Sequence, residues 1–509
     1  MPEPDRSGGQ PDLRATGGRP DLLAPLGRRL GCTTGQAWTL AVTVPLAIVL
    51  ALLTLAPLAF GRSPGASPLG PGLSAPAPDA AGRLPAGVGQ EAFGPGPTPR
   101  PPGGPRTASD QGVSTGAIHL GVVLVDFGSA AALGANIDSS FRPDVQRQLY
   151  DAFLGVVNGR GGVGGRRIVA DYATVDILRP DTFTAACKNL VDSRHVFAVT
   201  NVLGIYGDAI LCVTREHRTP YLAVDGAADS YYSSSGGRLF TLGPSTASTV
   251  ANAVDLLMAS GEFKAHTVGL VGEGDYLQAD FDGAARYLAR VLGHPVPHTT
   301  ISATDTFSAV RAIPQAVAKM RAAGVDYVLL ATNPLFAQQF VADAVDQGYR
   351  PAYAESDFGF EMAGDSFLGA LNPAYFDHAV SVTASRVGDA KAGLREPAPD
   401  RLCRATFERA TGRQLDPASE TYYSVLAVCD VVRLFADGVL GAGANPTRAG
   451  FAAALSALGA INLAGAGPAS FRPNKFTAPH AVRLDRAILG CRCWQPIGTG
   501  AFTPARHLR

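Results

Sequence analysis

The sequence predicts an α/β protein with two lobes, each built on a Rossmann-like parallel sheet, behind an N-terminal apolar helix and a Pro/Gly-rich linker. Three observations carry this. From Ala117 onward, short β-branched runs alternate with stretches of helical periodicity, the pattern of a parallel sheet covered by helices. Near Thr246 the alternation restarts and runs for a similar length. The first 115 residues differ in composition from the rest.

The chain has 509 residues and no formal net charge. That length accommodates two or three domains, and the balanced charge argues against nucleic acid as a partner, which would favour a basic face. Residues 1–36 are polar and carry Arg14, Arg19, Arg28 and Arg29, as expected of a cytoplasmic tail. No charged residue lies between Leu30 and Gly61, and residues 37–60 form a mostly apolar stretch. A helix of about 20 residues spans a bilayer, so this stretch is expected to be a transmembrane signal anchor. Trp38 suits the interface, and the arginines ahead of it place the C-terminal bulk outside the cytoplasm. A cleaved signal peptide is the competing reading; no clear A-x-A site follows the stretch, which favours the anchor. Residues 61–115 hold 12 Pro and 12 Gly in 55 positions. They offer too little apolar surface to offset the entropy of ordering, and a disordered tether is expected.

Ile118–Val125 reads as a buried strand, short, continuous and β-branched. A helix is expected over 145–157, a strand over 167–173, and a helix over 181–192 that Pro180-Asp181 opens. A strand at 196–200, a helix at 206–217 and a strand at 221–224 complete the first set. The second set runs helix 246–260, strand 266–271, helix 277–292, strand 299–302, helix 310–323, strand 326–331, helix 336–347 and strand 352–355. A long apolar helix at 419–437, a shorter one at 446–457 and a strand pair between Arg483 and Trp494 close the chain.

Between the first helix and the second strand stands Gly159-Arg160-Gly161-Gly162-Val163-Gly164, a literal G-x-G-x-x-G. A dinucleotide loop leaves a strand and enters a helix, so that first-turn N–H groups face the phosphates. Here the order is reversed. Leu149, Phe153, Val156 and Val157 have helical spacing before the glycines, and Ile168, Ala170 and Tyr172 alternate after them. The stretch therefore reads as a helix stop and turn.

Six cysteines lie beyond the apolar stretch, in a compartment that permits disulfides. Cys187 and Cys212 fall on successive helices flanking one strand, and Cys403 and Cys429 again sit helix to helix. Those two pairs are expected, which leaves Cys491 and Cys493; a C-x-C without a Cys or His partner nearby is a poor zinc signal. Nucleophile-elbow, H-E-x-x-H, Walker A and EF-hand patterns are missing from the sequence. His195, His217 and His298 stand at element ends, where capping or solvated roles dominate, and Asp225 and Asp229 flank a turn. Neither catalysis, a metal nor a cofactor is expected.

Several segments together resemble the type I periplasmic binding proteins, in particular the leucine/isoleucine/valine-binding branch that serves ABC importers. They are Asp126-Phe127-Gly128 after the first strand, Asn158 to Arg166 at the glycine turn, and Asp176 with Pro180-Asp181. Thr219-Pro220-Tyr221 with Gly226-Ala227-Ala228, Gly274-Asp275-Tyr276, and Thr306-Phe307-Ser308 continue the series. The resemblance covers about residues 117–495 and implies a domain over 116–500. It divides into a first lobe (about 117–243 and 386–460) and a second (about 244–385 and 461–500), joined by three hinge crossings. It also implies a small-molecule ligand closed between the lobes, with ABC permease subunits as partners; a sensing receptor using the same closure is the alternative.

Ligands of doubly wound sheets sit beyond the carboxyl ends of the strands. That nominates Phe127, Gly204, Tyr206, Asp225, Gly226, Ala227, Ala228, Tyr276, Thr304, Asn333 and Phe358. In amino-acid-binding relatives a Ser and a Thr hold the ligand carboxylate and a second-lobe acid holds its ammonium; those positions correspond here to Gly204, Ala228 and Thr304. A charged head group would lose side-chain partners worth roughly 1.5–3 kcal/mol each. The aromatics of these loops, with Tyr231 and Tyr232, suit a ligand with an apolar or aromatic portion.

Overall fold

The computed structural model describes residue 93 and residues 104–128, 138–176, 179–201, 207–301, 306–332, 334–356, 368–369, 371–386 and 388–507. Among these no helix is long and apolar enough to cross a membrane. The apolar stretch at 37–60, the tail before it and most of the linker lie outside the described residues.

The first sheet has strand order β2-β1-β3-β4-β5, all parallel. Its strands are β1 (Ala117–Asp126), β2 (Arg167–Asp176), β3 (Ala198–Asn201), β4 (Tyr221–Ala223) and β5 (Leu239–Thr241). β1 is buried on both faces, as a central parallel strand requires. Ile118, Leu120, Val122 and Leu124 enter one core, and Val123 and Val125 the other. Between the strands run α1 (Pro143–Gly159), α2 (Pro180–Lys188), α3 (Asp208–Leu211) and α4 (Asp229–Ser234). The glycine turn closes α1: Gly162 lies at φ +73°, where a Cβ would stand 2.0 Å from the Arg166 carbonyl oxygen.

The second sheet follows the order β14-β13-β10-β9-β8-β6-β7. Its parallel part is β6 (Val268–Glu273), β7 (His298–Ile301), β8 (Tyr327–Ala331), β9 (Ala352–Ser356) and β10 (Val380–Thr383). β13 (Ala481–Ile488) and β14 (Cys493–Pro496) add an antiparallel edge. α5 (Thr246–Ser260), α6 (Gln278–Leu292), α7 (Thr306–Ala322), α8 (Pro334–Asp346) and the short α9 (Pro373–Phe376) belong to this lobe. The return segment supplies α10 (Ala398–Thr411), α11 (Glu420–Gly441) and α12 (Arg448–Ser456) to the first lobe's core. α11 is apolar around most of its circumference because it is buried there, from Val425 to Val439.

Two features depart from the reading of the sequence. The tether ends earlier than its composition indicates. Phe93 is buried against Phe153, Thr107 N donates to Asn445 Oδ1 at 2.7 Å, and Asp110 Oδ2 accepts from Arg448 N at 2.6 Å. Arg166, 1% exposed, donates to the carbonyls of Thr107, Ser114 and Ala444. Distant side chains thus satisfy a backbone that the local composition leaves unsatisfied. The third crossing also falls at 478–481 rather than 460/461. The intervening β11 (Gly459–Ile461) and β12 (Ala469–Phe471) pair with each other, and Ile461, Leu463 and Phe471 pack into the first core.

Crossings one and three are bonded side by side, and crossing two is bonded to the first-lobe segment 465–467. Thr241 N donates to the Phe476 carbonyl and Ala478 N to the Thr241 carbonyl, at 3.0 and 2.8 Å, joining crossings one and three. Arg386 N donates to the Gly465 carbonyl and Gly467 N to that of Ala384, at 2.8 and 2.7 Å, anchoring crossing two. Arg483, 1% exposed, reaches Asp389 Oδ1 at 2.7 Å and Asp485 Oδ2 at 2.9 Å. The C-terminal segment straps this cluster. β15 (Thr503–Pro504) pairs with Ala481–Val482, and the Phe502 ring lies under the guanidinium groups of Arg386 and Arg483 at 5.1 and 5.0 Å. Asn252 on α5 then holds the backbone of Arg506 and His507.

Removing one member of a buried ion pair strands the other charge, at a cost of about 3–5 kcal/mol. Arg483→Met is therefore expected to lower stability by that amount in urea unfolding. A loss below about 1 kcal/mol would show that the cluster is dispensable.

Candidate functional site

The carboxyl ends of both sheets carry the residues that the topology nominates. At β1, Gln146 of α1 is fully buried and clamps the strand end: its Oε1 accepts from Val125 N at 3.1 Å, and its Nε2 donates to the carbonyls of Val125 and Phe141 at 2.8 and 2.6 Å. The clamp sets the direction in which the following loop departs. Phe127 stands half-buried in that loop, its ring 6.0 Å from that of Phe141.

At β4 the loop Asp225-Gly226-Ala227-Ala228 is anchored by a hydroxyl relay. Ala227 N donates to Tyr232 Oη at 3.1 Å, Tyr232 Oη meets Thr241 Oγ1 at 2.7 Å, and Thr241 Oγ1 donates to the Gly243 carbonyl. Gly226 is required for close approach: a Cβ there would fall 1.7 Å from the Pro244 carbonyl oxygen. Asp225, Gly226 and Ala227 are half-buried and Ala228 is buried. Tyr231 and Tyr232, expected among the loop aromatics, belong to the core instead, at 5% and 4% exposure. Burial pushes both phenols well above their ordinary value, as an apolar setting disfavours the phenolate.

This loop meets the other lobe. Asp229 N donates to Asp280 Oδ2 of α6 at 3.1 Å. At the end of β6, Asp275 takes a left-handed φ of +57° and leads into the tight turn Asp275–Leu277, which carries Tyr276; the Tyr276 side chain lies outside the described residues. Gly204, Tyr206, Thr304, Asn333 and Phe358 also lie outside them. Phe127 and the Asp225–Ala228 loop are thus the nominated residues whose surroundings are described.

The sequence reading set Asp280 aside, with Asp275, as no acid/base pair, and did not nominate Gln146 or three buried polar residues of the second lobe. Thr332 follows β8, and Glu355 and Ser356 end β9; each is 1% exposed. Thr332 Oγ1, both Glu355 carboxylate oxygens and Ser356 Oγ find no hydrogen-bond partner among the described residues. Buried polar atoms without partners are uncommon and call for an explanation, and these stand at the strand ends where ligands of such sheets sit. The one signal available in the sequence was an acid directly after the apolar residues Ala352, Tyr353 and Ala354.

Desolvation alone holds the Glu355 carboxyl well above its ordinary value of 4.5, so the folded chain keeps a proton there that the unfolded chain releases. Stability is then undiminished below about pH 4 and falls as pH rises toward the folded-state value. Glu355→Gln should match wild type near pH 4 and be the more stable of the two at pH 8 in urea unfolding. Parallel pH curves for the two proteins would show that the carboxyl has a partner.

Residues 119–488 match the family described as periplasmic binding protein. No protein among curated sequences matches the chain. Among solved structures, a possible leucine/isoleucine/valine-binding protein from Rhodopirellula baltica SH 1 is 17% identical, covering 77% of this chain and 98% of that one, with a TM-score of 0.57. A fatty acid ABC transporter substrate-binding protein from Thermomonospora curvata is 19% identical, covering 79% and 94%, with a TM-score of 0.53. A solute-binding protein from R. palustris, in complex with 4-hydroxybenzoate, is 12% identical, covering 76% and 95%, with a TM-score of 0.55. Identities this low establish a shared fold and leave ligand choice open. With two α/β lobes and a family match over residues 119–488, most of its length, the chain belongs to the periplasmic binding protein family.

Proposed function

We propose that this protein is a membrane-tethered, extracytoplasmic solute-binding component of an ABC importer, which closes its lobes on a small organic ligand and presents it to permease subunits. The observations that carry the reading are the pairing of Asp229 N with Asp280 Oδ2 across the lobes and, at strand ends of the second lobe, the buried Thr332, Glu355 and Ser356 oxygens that find no partner among the described residues. A ligand supplies such partners on closure, and a hinge built from three adjacent crossings lets the lobes approach as rigid bodies. The role is capture rather than catalysis, with neither metal nor cofactor required.

The ligand we propose has an apolar or aromatic portion. Ala228 offers no hydroxyl where amino-acid-binding relatives use one, and Phe127 presents a ring at the first strand end. The R. palustris and T. curvata proteins, whose names refer to 4-hydroxybenzoate and fatty acid, make aromatic and aliphatic acids the first compounds to test. Residues 1–36, 37–60 and 61 to about 92 serve in this reading as cytoplasmic tail, uncleaved anchor and tether.

A soluble form beginning at Glu91 should show a ligand-dependent rise in melting temperature against a library of aromatic, aliphatic and amino acids. At a ligand concentration of 100 times Kd the gain is about 2.7 kcal/mol. Gly226→Val should abolish the response while leaving the far-ultraviolet dichroism intact. A library without a single hit would sink the importer reading, and specific binding without ligand uptake in cells would move it to sensing. N-terminal sequencing of the membrane-associated protein should start near Met1; a start near Gly61 would remove the anchor.

A further inference from the structure

Charge is segregated along the strand axis. Asp126, Asp176 and Glu273 close β1, β2 and β6, Asp225 follows β4, and Asp275 and Asp280 follow β6. At the opposite ends, Arg166, Arg194, Arg218 and Arg350 precede β2, β3, β4 and β9. In the segments between a parallel strand and the next helix, the crossings aside, Arg142 and Arg179 are the only Lys, Arg or His residues. Both are exposed and lie 3.0 Å from Asp144 and Asp181. A chain with no net charge thus presents an acidic edge at the strand ends where ligands of such sheets sit.

Part of this pattern has a local cause. Acidic side chains near helix N-termini complement the dipole and cap free N–H groups. Asp138 accepts from Ser140 N and Asp126 from Gly128 N in this way, each at 2.7 Å. Asp280 and Glu355 have other surroundings. Asp280 lies in the first turn of α6, yet its Oδ2 accepts from Asp229 N of the other lobe at 3.1 Å. That contact brings two carboxylates from opposite lobes close together. Burial raises the Tyr232 phenol, and the Asp229 and Asp280 carboxylates both raise it further. Glu355 belongs to no helix. It ends β9 at 1% exposure, and neither carboxylate oxygen has a hydrogen-bond partner among the described residues. A buried carboxylate is stable only with a compensating positive charge or hydrogen bonds.

We propose that the ligand closed between the lobes carries positive charge: an organic amine or guanidine joined to an apolar portion, its N–H groups shared among carboxylates of both edges. This rests on the reading of the chain as a solute-binding protein and adds the charge of the solute. An inorganic cation fits less well. Direct coordination gathers oxygens to within about 2.0–2.6 Å of the ion, and among the described residues no three carboxylates lie within 4.8 Å of one another. An extended cation with several N–H donors spans dispersed carboxylates through charge-assisted bonds. The set differs from the acid that holds the ammonium in amino-acid-binding relatives, whose position is Thr304 here. Closing two acidic edges on each other brings like charges together, so a cation between them favours the closed state. Phe127 suits the apolar portion, and an aromatic face also attracts a cation.

The test is thermal shift and calorimetry on the full chain in detergent, with probes matched in skeleton and differing in charge. Benzylamine, hexylamine and agmatine are compared with benzoate, hexanoate and glutarate, and with the neutral benzamide and hexanamide. At least one amine or guanidine should bind, with an affinity that falls as salt is raised, and its carboxylate counterpart should not. Asp280→Asn, Asp225→Asn and Glu355→Gln should each weaken that binding roughly tenfold or more. Asp192→Asn, at the opposite edge of the first sheet, should leave it unchanged. Should one edge variant lose its far-ultraviolet dichroism, the other two carry the test. Binding of carboxylates or amides in place of every amine, or amine affinity unchanged in the folded edge variants, overturns the charge assignment and leaves the solute-binding reading standing. If no compound of any class binds, both fall.

Discussion

The arrangement depends above all on the buried charge cluster at the crossings. Arg483 sits on the strand that begins at crossing three, and its carboxylate partners lie on that strand, at Asp485, and just beyond crossing two, at Asp389. Ionised groups withdrawn from water hold only when paired with good geometry, so this cluster constrains where two of the three crossings run. The Phe502 ring under both guanidinium groups adds a cation–π contact and excludes water. Because the strap then bonds to Asn252 on α5, which follows crossing one, every path between the lobes is tied to one small volume. Lys475 reinforces it, donating to the carbonyls of Ser470, Thr477 and Ala478.

In the function we propose, the carboxyl edges of the sheets are where the lobes would meet a ligand. On the first lobe the edge is rigid: Gln146 clamps β1, and the Tyr232–Thr241 relay holds the Gly226 loop against crossing one. On the second lobe the edge holds buried oxygens that find no partner among the described residues, those of Thr332, Glu355 and Ser356. One pre-organised edge and one with unsatisfied oxygens among the described residues suit differential binding. A ligand that completes the second edge stabilises the closed state by the interactions it supplies there.

The alternation of strands and helices was legible because parallel strands buried on both faces need continuous apolar runs, as in β1. Long helices were read to within a few residues, and α5, Thr246–Ser260, agrees at both ends. The Cys187–Cys212 and Cys403–Cys429 bridges followed from successive helices, and both are present, together with Cys491–Cys493. Short elements escaped: β5, β10, α4 and the β11–β12 pair span six residues or fewer, too few to show a period. Of the nominated residues, the Asp225–Ala228 loop stands at a strand end because the topology puts it there. Asp280 was not nominated, because its role arises from contact between lobes.

The sequence by itself determined the class of fold, the helix-stop role of the glycine turn and the order of the elements, since periodicity and backbone preference are local properties. Tertiary structure alone decided where the third crossing falls, that residues near 107 dock on Asn445 and Arg166, and that Tyr231 and Tyr232 are core. It also decided that Glu355 is buried without a partner among the described residues. Each of these turns on which distant groups meet. Burial and partnership are set by neighbours far along the chain, and no window of sequence contains them.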